Sequence, residues 1–103
     1  MYVKVYQYHI QKDRVEEYLD IQKKTSEIYD RYLDIDLLYL NNQDDDTKWI
    51  EVTRYKDKDE YEEKIIMING QKEIQELFES FQSLLVPDKN EITEENYIEI
   101  KPY

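Results

Sequence analysis

The sequence predicts an α+β fold of the ferredoxin-like type, with elements in the order β-α-β-β-α-β and an antiparallel sheet. Two observations carry this prediction. Four short segments alternate in the manner of strands, at 2–10, 35–41, 49–55 and 97–101. Two longer segments, 13–32 and 57–86, place apolar residues at helical spacing. We expect all 103 residues (1–103) to form one domain.

Both helical segments carry start and stop signals. Asp13 with Glu16, and Asp57 with Glu60, each fit a capping box at a helix start. The second segment should break at Gly70, the only glycine in the chain. Beyond this break, an apolar stripe predicts a core helix that ends before a proline: Ile74, Leu77, Phe78, Phe81, Leu84 and Leu85.

The first helix and the strands indicate where a pocket could lie. Gln22 and Thr25 interrupt an otherwise apolar helix face, and a buried polar group there needs a hydrogen bond. Strand residues two apart share a face of the sheet. By this rule one sheet face is aliphatic, with Val3, Val5, Ile50, Val52, Ile98 and Ile100, and the other is aromatic and polar, with Tyr2, Lys4, Tyr6, Tyr8, Trp49, Glu51, Thr53, Tyr55, Tyr97 and Glu99.

Each face of the sheet carries large apolar side chains and needs a surface to cover it. Helices covering the aliphatic face of a lone monomer would leave the aromatic face in water, and a large exposed aromatic patch marks an interface or a ligand site. We therefore expect the sheet to pair with a second copy of the chain, or one sheet face to line a pocket, or both.

Composition excludes several classes of function. The formal net charge is −11, which opposes binding to nucleic acid and to anionic membranes. Without cysteine there is no disulfide, iron–sulfur cluster or thiolate zinc site. Residues 44–46 are three aspartates, but the glycine that a calcium loop requires is absent, so no metal is expected. No apolar run approaches the roughly 20 residues of a membrane span, and the strand-like start does not resemble a signal peptide. We expect a cytoplasmic protein.

Three features together resemble the antibiotic biosynthesis monooxygenase-like family. They are the charged turn into the first helix at 11–19, the third strand 49–55 with the acidic-aromatic helix entry after it, and the broken second helix. The resemblance spans nearly the whole chain and implies a dimeric α+β barrel. It also implies a homodimer through the sheet faces and one small-molecule pocket per subunit, between the helices and the sheet.

The resemblance implies a reaction without a cofactor. A heme-degrading branch of the family uses Asn, Trp and His, but the corresponding strand positions here are Tyr6 and Tyr55, and residues 61–86 contain no histidine. Heme is therefore not expected. Two functions stay open: a cofactor-independent monooxygenase acting on a small electron-rich, quinol-like aromatic, and a non-catalytic binding or regulatory barrel.

Pocket residues are predicted from shared parity and from the break in the helix face. Glu51 is the candidate base, with Lys4 as a possible ionic partner, and Tyr6 is the candidate hydrogen-bond donor. The remaining predicted pocket residues are Tyr8, Gln22, Thr25, Trp49, Thr53 and Tyr55. His9, the only histidine, falls on the aliphatic face near a strand end, and we expect no catalytic task for it.

Overall fold

The computed structural model of the protein describes residues 1–101, which contain four strands and three α-helices. The elements are β1 (Tyr2–His9), α1 (Val15–Asp30), β2 (Ile35–Asn41), β3 (Lys48–Tyr55), α2 (Lys58–Asn69), α3 (Lys72–Ser83) and β4 (Thr93–Ile98). All strand pairings are antiparallel, and the strand order is β2-β3-β1-β4. The predicted ferredoxin-like α+β fold is confirmed.

The helices cover the aromatic face of the sheet and not the aliphatic one. Tyr2, Tyr8, Trp49 and Tyr55 are all buried, whereas Leu38 on the opposite face is 53% exposed. The lone-monomer arrangement with helices on the aliphatic face does not occur, and α1 lies on the aromatic face, for which the pocket residues are predicted. Apolar residues of the helices pack against the aromatic side chains of the strands. The aliphatic residues of β1, β2 and β3 lie on the face that no helix covers.

Two separate clusters form the core between helices and sheet. One lies around Tyr8, Tyr18 and Phe81, and the other around Tyr2, Tyr55 and Ile28. Edge-to-face ring packing contributes to the first cluster, with the Tyr8 and Phe81 ring centroids 4.9 Å apart. The sheet face between the clusters carries Glu51, Thr53 and Lys4, which prevent the two clusters from merging into one apolar core.

Of the two predicted capping boxes, only the one at Asp57 supplies a side-chain cap, through one of the two bonds of a box. The Asp57 side chain accepts a hydrogen bond from the Glu60 backbone N–H, as a helix cap does. Asp13 instead lies in a single 3-10 turn (Lys12–Arg14), and α1 starts after it without a side-chain cap. The predicted box at Asp13 is wrong because the chain makes this extra turn before the helix.

The predicted break of the second helical segment is confirmed. Helix α2 ends at Asn69 and α3 begins at Lys72, with Gly70 between them in an ordinary right-handed conformation. Phe78, predicted as a core residue, is 52% exposed, so the apolar stripe of α3 is only partly buried. No helix in residues 1–101 is both long and apolar enough to cross a membrane.

The last strand differs from its prediction in both place and phase. It spans Thr93–Ile98, so residues 93–96, which the sequence indicates as the end of an acidic connection over 88–96, are paired with β1. Tyr97 stands opposite Val3 and Ile98 opposite Tyr2, which reverses the predicted faces of both residues. Glutamate has low strand propensity, but pairing at a solvated edge of the sheet overrides it.

Replacing Asp57 by alanine should reduce the free energy of unfolding by about 1 kcal/mol, because the Glu60 N–H loses its cap. Asp13→Ala is the matched control and should change it by less than about 0.5 kcal/mol, since Asp13 caps nothing. Urea denaturation followed by circular dichroism measures both. Equal losses for the two variants would contradict this assignment of the helix starts.

Candidate functional site

A cavity of about 670 Å³ lies between the helices and the aromatic face of the sheet. It is lined by residues from all four strands, from all three α-helices and from the segment that leads into β4. Phe78 and Glu94 belong to this lining and are both exposed, so they mark the side where the cavity meets solvent. A cavity of this size, largely apolar and with a few inward polar groups, has the dimensions of a small-molecule site.

Glu51 lies at the centre of a hydrogen-bond network on the cavity wall. Its Oε1 accepts a hydrogen bond from the Tyr8 hydroxyl at 2.9 Å and another from Gln22 Nε2 at 3.2 Å. The Tyr8 and Tyr18 hydroxyl oxygens are 2.7 Å apart, and the Tyr39 hydroxyl donates to Gln22 Oε1 at 3.4 Å. Every bond to the carboxylate within residues 1–101 goes to Oε1. One oxygen is therefore held in place, and the other is available to a ligand.

Burial raises the pKa of Glu51 above its usual value, although the hydrogen bonds from Tyr8 and Gln22 act in the opposite direction. Burial also raises the pKa of the tyrosines around it. For Tyr29, burial and the nearby Glu51 charge together raise the pKa to about 12. The tyrosine hydroxyls therefore stay protonated and can donate hydrogen bonds. A carboxyl with an elevated pKa beside such donors is a common arrangement in sites that transfer protons.

Strand pairing sets the order of side chains along the cavity wall. Tyr39 on β2 is opposite Glu51 on β3, Glu51 is opposite Tyr6 on β1, and Tyr6 is opposite Glu94 on β4. Paired residues point to the same side of an antiparallel sheet. The four side chains therefore form one row across the sheet in which tyrosine and glutamate alternate, and all four line the cavity.

Lys4 is not the partner of Glu51. Its ammonium is buried, 2.8 Å from Asn96 Oδ1 and 3.3 Å from Glu94 Oε2, and it lies 5.0 Å from the centre of the Tyr61 ring. Burial acts to lower the pKa of Lys4, but Tyr61 and Glu94 outweigh it, and the pKa is raised. The predicted Lys4–Glu51 pair is wrong because β4 brings a closer carboxylate to the lysine.

Most residues of the predicted site line this one cavity: Tyr6, Tyr8, Gln22, Thr25, Glu51, Thr53 and Tyr55. Thr25 donates its hydroxyl hydrogen bond to the Ile21 carbonyl within α1, so it is satisfied without a ligand. Trp49 is absent from the lining and packs in the core, with its ring 4.9 Å from that of Tyr18. Its assignment to the pocket needs correction, because the indole packs against Tyr18 in the core, although its strand partner Tyr8 lines the cavity.

Sequence reasoning missed Tyr39 and Glu94 of the cavity lining, and Tyr18, which lies in the core and joins the hydrogen-bond network through Tyr8. Tyr18 precedes Gln22 by one helical turn, a spacing that could have placed its hydroxyl in the same network. Tyr39 alternates with Leu38 and Leu40 on β2, a signal that the strand pattern contained. Glu94 could not be found in this way, because its segment reads as an acidic loop until it pairs with β1.

His9 lies away from the cavity, at the end of β1. Its Nδ1 is 3.0 Å from the Thr47 hydroxyl and 3.6 Å from an Asp45 oxygen. The Asp45 carboxylate also accepts from the backbone and side chain of Thr47. These contacts hold the β2–β3 turn against the sheet.

Comparison with known proteins finds similarity in structure but not in sequence. No protein-family model matches the chain, and no curated protein sequence matches it significantly. Among solved structures, a variant of SnoaB, a cofactor-independent oxygenase from Streptomyces nogalater, superposes with a TM-score of 0.74 at 11% identity, covering 97% of this chain and 93% of the other. A structure described as antibiotic biosynthesis monooxygenase gives 0.72 at 11% identity, with 98% and 100% coverage.

The same fold also occurs under another family name. An uncharacterized NIPSNAP domain protein from Burkholderia xenovorans gives a TM-score of 0.73 at 13% identity, covering 100% of this chain and 98% of the other. These superpositions confirm the fold suggested by the family resemblance. They define the scaffold, and the function has to be argued from the cavity itself.

Replacing Glu51 by glutamine should raise the free energy of unfolding at neutral pH. The folded-state pKa of Glu51 lies above its ordinary value of 4.5, so folding disfavours the ionised form. The penalty is absent well below pH 4.5, where both states are protonated, grows as the pH rises from there to the folded-state pKa, and is constant above it.

Urea denaturation of both proteins between pH 4 and pH 8 measures this difference. The advantage of Glu51→Gln should increase with pH, whereas Glu79→Gln, a control on the exposed surface of α3, should show no such trend. A variant that is less stable than the parent at pH 7 but as stable as the parent at pH 4 would show that Glu51 is a stabilising ion.

Proposed function

We propose that the protein is a cofactor-independent monooxygenase acting on a small electron-rich aromatic of the quinol class, with Glu51 as the base. The observation that carries the proposal is the Glu51 carboxylate, desolvated on the wall of a tyrosine-rich cavity, with Oε1 held by Tyr8 and Gln22. A base held through one oxygen keeps the other directed to a substrate hydroxyl, which is the geometry that proton abstraction needs.

The reaction balances without an external reductant. Glu51 takes the proton of a quinol hydroxyl, and the anion then transfers electrons to dioxygen, forming a C–O bond at an adjacent ring carbon. The resulting hydroperoxide loses water, leaving one oxygen atom in the product as a carbonyl. With 1,4-dihydroxynaphthalene, one quinol and one dioxygen give one hydroxynaphthoquinone and one water. The substrate supplies all four electrons.

Tyr6 is the proposed hydrogen-bond donor for the oxyanion. It is next to Glu51 in the row across the sheet, and burial raises its pKa far enough for the hydroxyl to keep its proton. Gln22 and Thr53 bound the same space, and Tyr55 closes it toward the second core cluster. A substrate that fills the cavity displaces water from beside Glu51, which strengthens the hydrogen bonds to the developing charge.

Glu51→Gln should reduce the rate of oxygen consumption with 1,4-dihydroxynaphthalene by about 100-fold or more, the usual contribution of a general base. An oxygen electrode, corrected for autoxidation, measures the rate. In the parent protein the rate should increase with pH through the elevated pKa of Glu51, because only the ionised carboxylate accepts a proton.

Glu79→Gln is the control and should keep the parental rate. Added catalase separates monooxygenation, which releases water, from simple oxidation of the quinol, which releases hydrogen peroxide and returns oxygen. Saturable quinol binding without oxygen consumption would instead favour the non-catalytic binding barrel, in which the tyrosine–glutamate network only shapes a ligand site.

We also propose that the protein forms a homodimer through the uncovered sheet face. Val5, Val52 and Leu38 form one row across this face. Leu40, which is 47% exposed, extends the same apolar patch in the neighbouring row, where it pairs with Ile50. An aliphatic patch that spans three strands and lacks a covering helix is characteristic of an interface. We also propose the cytoplasmic location that the sequence predicts.

Light scattering during size exclusion at micromolar concentration should give twice the 12.8 kDa mass of one chain. Leu38→Lys combined with Val52→Lys should shift the protein toward the monomer, because buried lysines would oppose one another across the interface. Ile66→Lys, at a position 77% exposed on α2, should leave the dimer intact. A parent protein that elutes as a monomer would exclude the proposed interface.

A further inference from the structure

The charges facing the cavity are all of one sign. Among the lining residues in the described part of the chain, Glu51 and Glu94 are the only charged side chains, and neither a lysine nor an arginine belongs to the lining. The chain as a whole carries a formal charge of −11. A carboxylate or phosphate on a ligand would therefore lose its hydration inside the cavity without gaining a counterion.

Lys4 contacts two of the cavity residues, Glu94 and Tyr61, but its hydrogen bonds are made within the protein. Its ammonium is held by Glu94, Asn96 and the Tyr2 hydroxyl, and the side chain is 6% exposed. It therefore stands behind Glu94 and offers little to a bound molecule. Lys4 and Asn96 Nδ2 both contact Oε2 of Glu94, and the Glu94 side chain is 46% exposed at the cavity edge. Oε1 of Glu94 contacts neither group and is the oxygen open to a second cation.

The ring faces near Glu94 also favour positive charge. The Lys4 ammonium already lies within cation–π distance of Tyr61, and Tyr61 lines the cavity together with Tyr6. Glu51 and Glu94 are two strands apart in the same row, about 10 Å between their Cα atoms at the usual strand spacing. This separation is comparable to the length of a phenol that carries a two-carbon amine.

We infer that the cavity selects aromatic ligands by charge, and that its natural ligand carries a hydroxyl at one end and a protonated amine at the other. The hydroxyl lies at Glu51, and the ammonium lies at Glu94 against the ring of Tyr61. The inference rests on the proposed function for the role of Glu51, but the position of the ammonium depends on Glu94 alone. It names the substrate class: phenolic amines, in preference to phenolic acids.

Three phenols of similar size test the inference by calorimetric titration without oxygen at pH 7.5. Tyramine carries an ammonium, 4-ethylphenol is neutral, and 3-(4-hydroxyphenyl)propionate carries a carboxylate. Tyramine should bind about 5-fold more tightly than 4-ethylphenol, and the propionate should bind most weakly of the three. Equal affinities, or tightest binding of the propionate, would overturn the inference.

Two variants with opposite expected effects separate charge recognition from a loss of folding. Glu94→Gln should remove the preference for tyramine and leave 4-ethylphenol binding unchanged. Lys4→Met should strengthen tyramine binding, because Glu94 loses its internal competitor; misfolding would weaken both ligands in either variant. Glu79→Gln makes the same change in net charge on the exposed side of α3 and should preserve all three affinities.

The test is independent of catalysis. If tyramine is preferred but no quinol is oxidised, the charge selection stands and the proposed monooxygenase fails. If the neutral quinol is oxidised with dependence on Glu51 but tyramine has no advantage, the monooxygenase stands and the charge selection is overturned.

Discussion

The structure depends on a band of polar side chains across the middle of the covered sheet face. Glu51, Thr53 and Lys4 lie on the central strands, where the helices would otherwise meet a continuous apolar surface. Because a buried charge or hydroxyl must keep a partner or water, the helices pack tightly only at the two ends of the sheet. The two core clusters and the cavity between them follow from this one constraint.

The two buried charges of this band are treated differently. Lys4 has a carboxylate and an amide oxygen from β4 and stays ionised, as a buried ion requires. Glu51 has only neutral donors, and burial raises its pKa. A structural acid would be expected to have a cation beside it, as Glu94 has. The absence of such a partner for Glu51 within residues 1–101 is the observation that supports the role proposed for this carboxyl.

Element order and seven of the cavity residues followed from local patterns alone. Parity along β1 and β3 placed Tyr6, Tyr8 and Glu51 on one face, and the interruption of the α1 apolar face identified Gln22. Such patterns report side-chain direction, which depends only on the backbone period. They could not say which sheet face the helices cover, since both faces carry large hydrophobic side chains. Nor could they place Trp49, whose face was correct but whose ring packs against Tyr18 in a core cluster and does not line the cavity.

By itself, the sequence determined the number and order of the elements, the alternation of faces along β1 and β3, and the polar interruption of α1. These properties are local, since each arises within one turn of helix or a few strand residues. Tertiary structure alone decided that β4 begins at Thr93, that Glu94 and not Glu51 neutralises Lys4, and that Tyr18 and Tyr39 complete the network around Glu51. The physical reason is that pairing partners and buried contacts come from chain segments far apart in sequence, whose meeting depends on the packing of the whole domain.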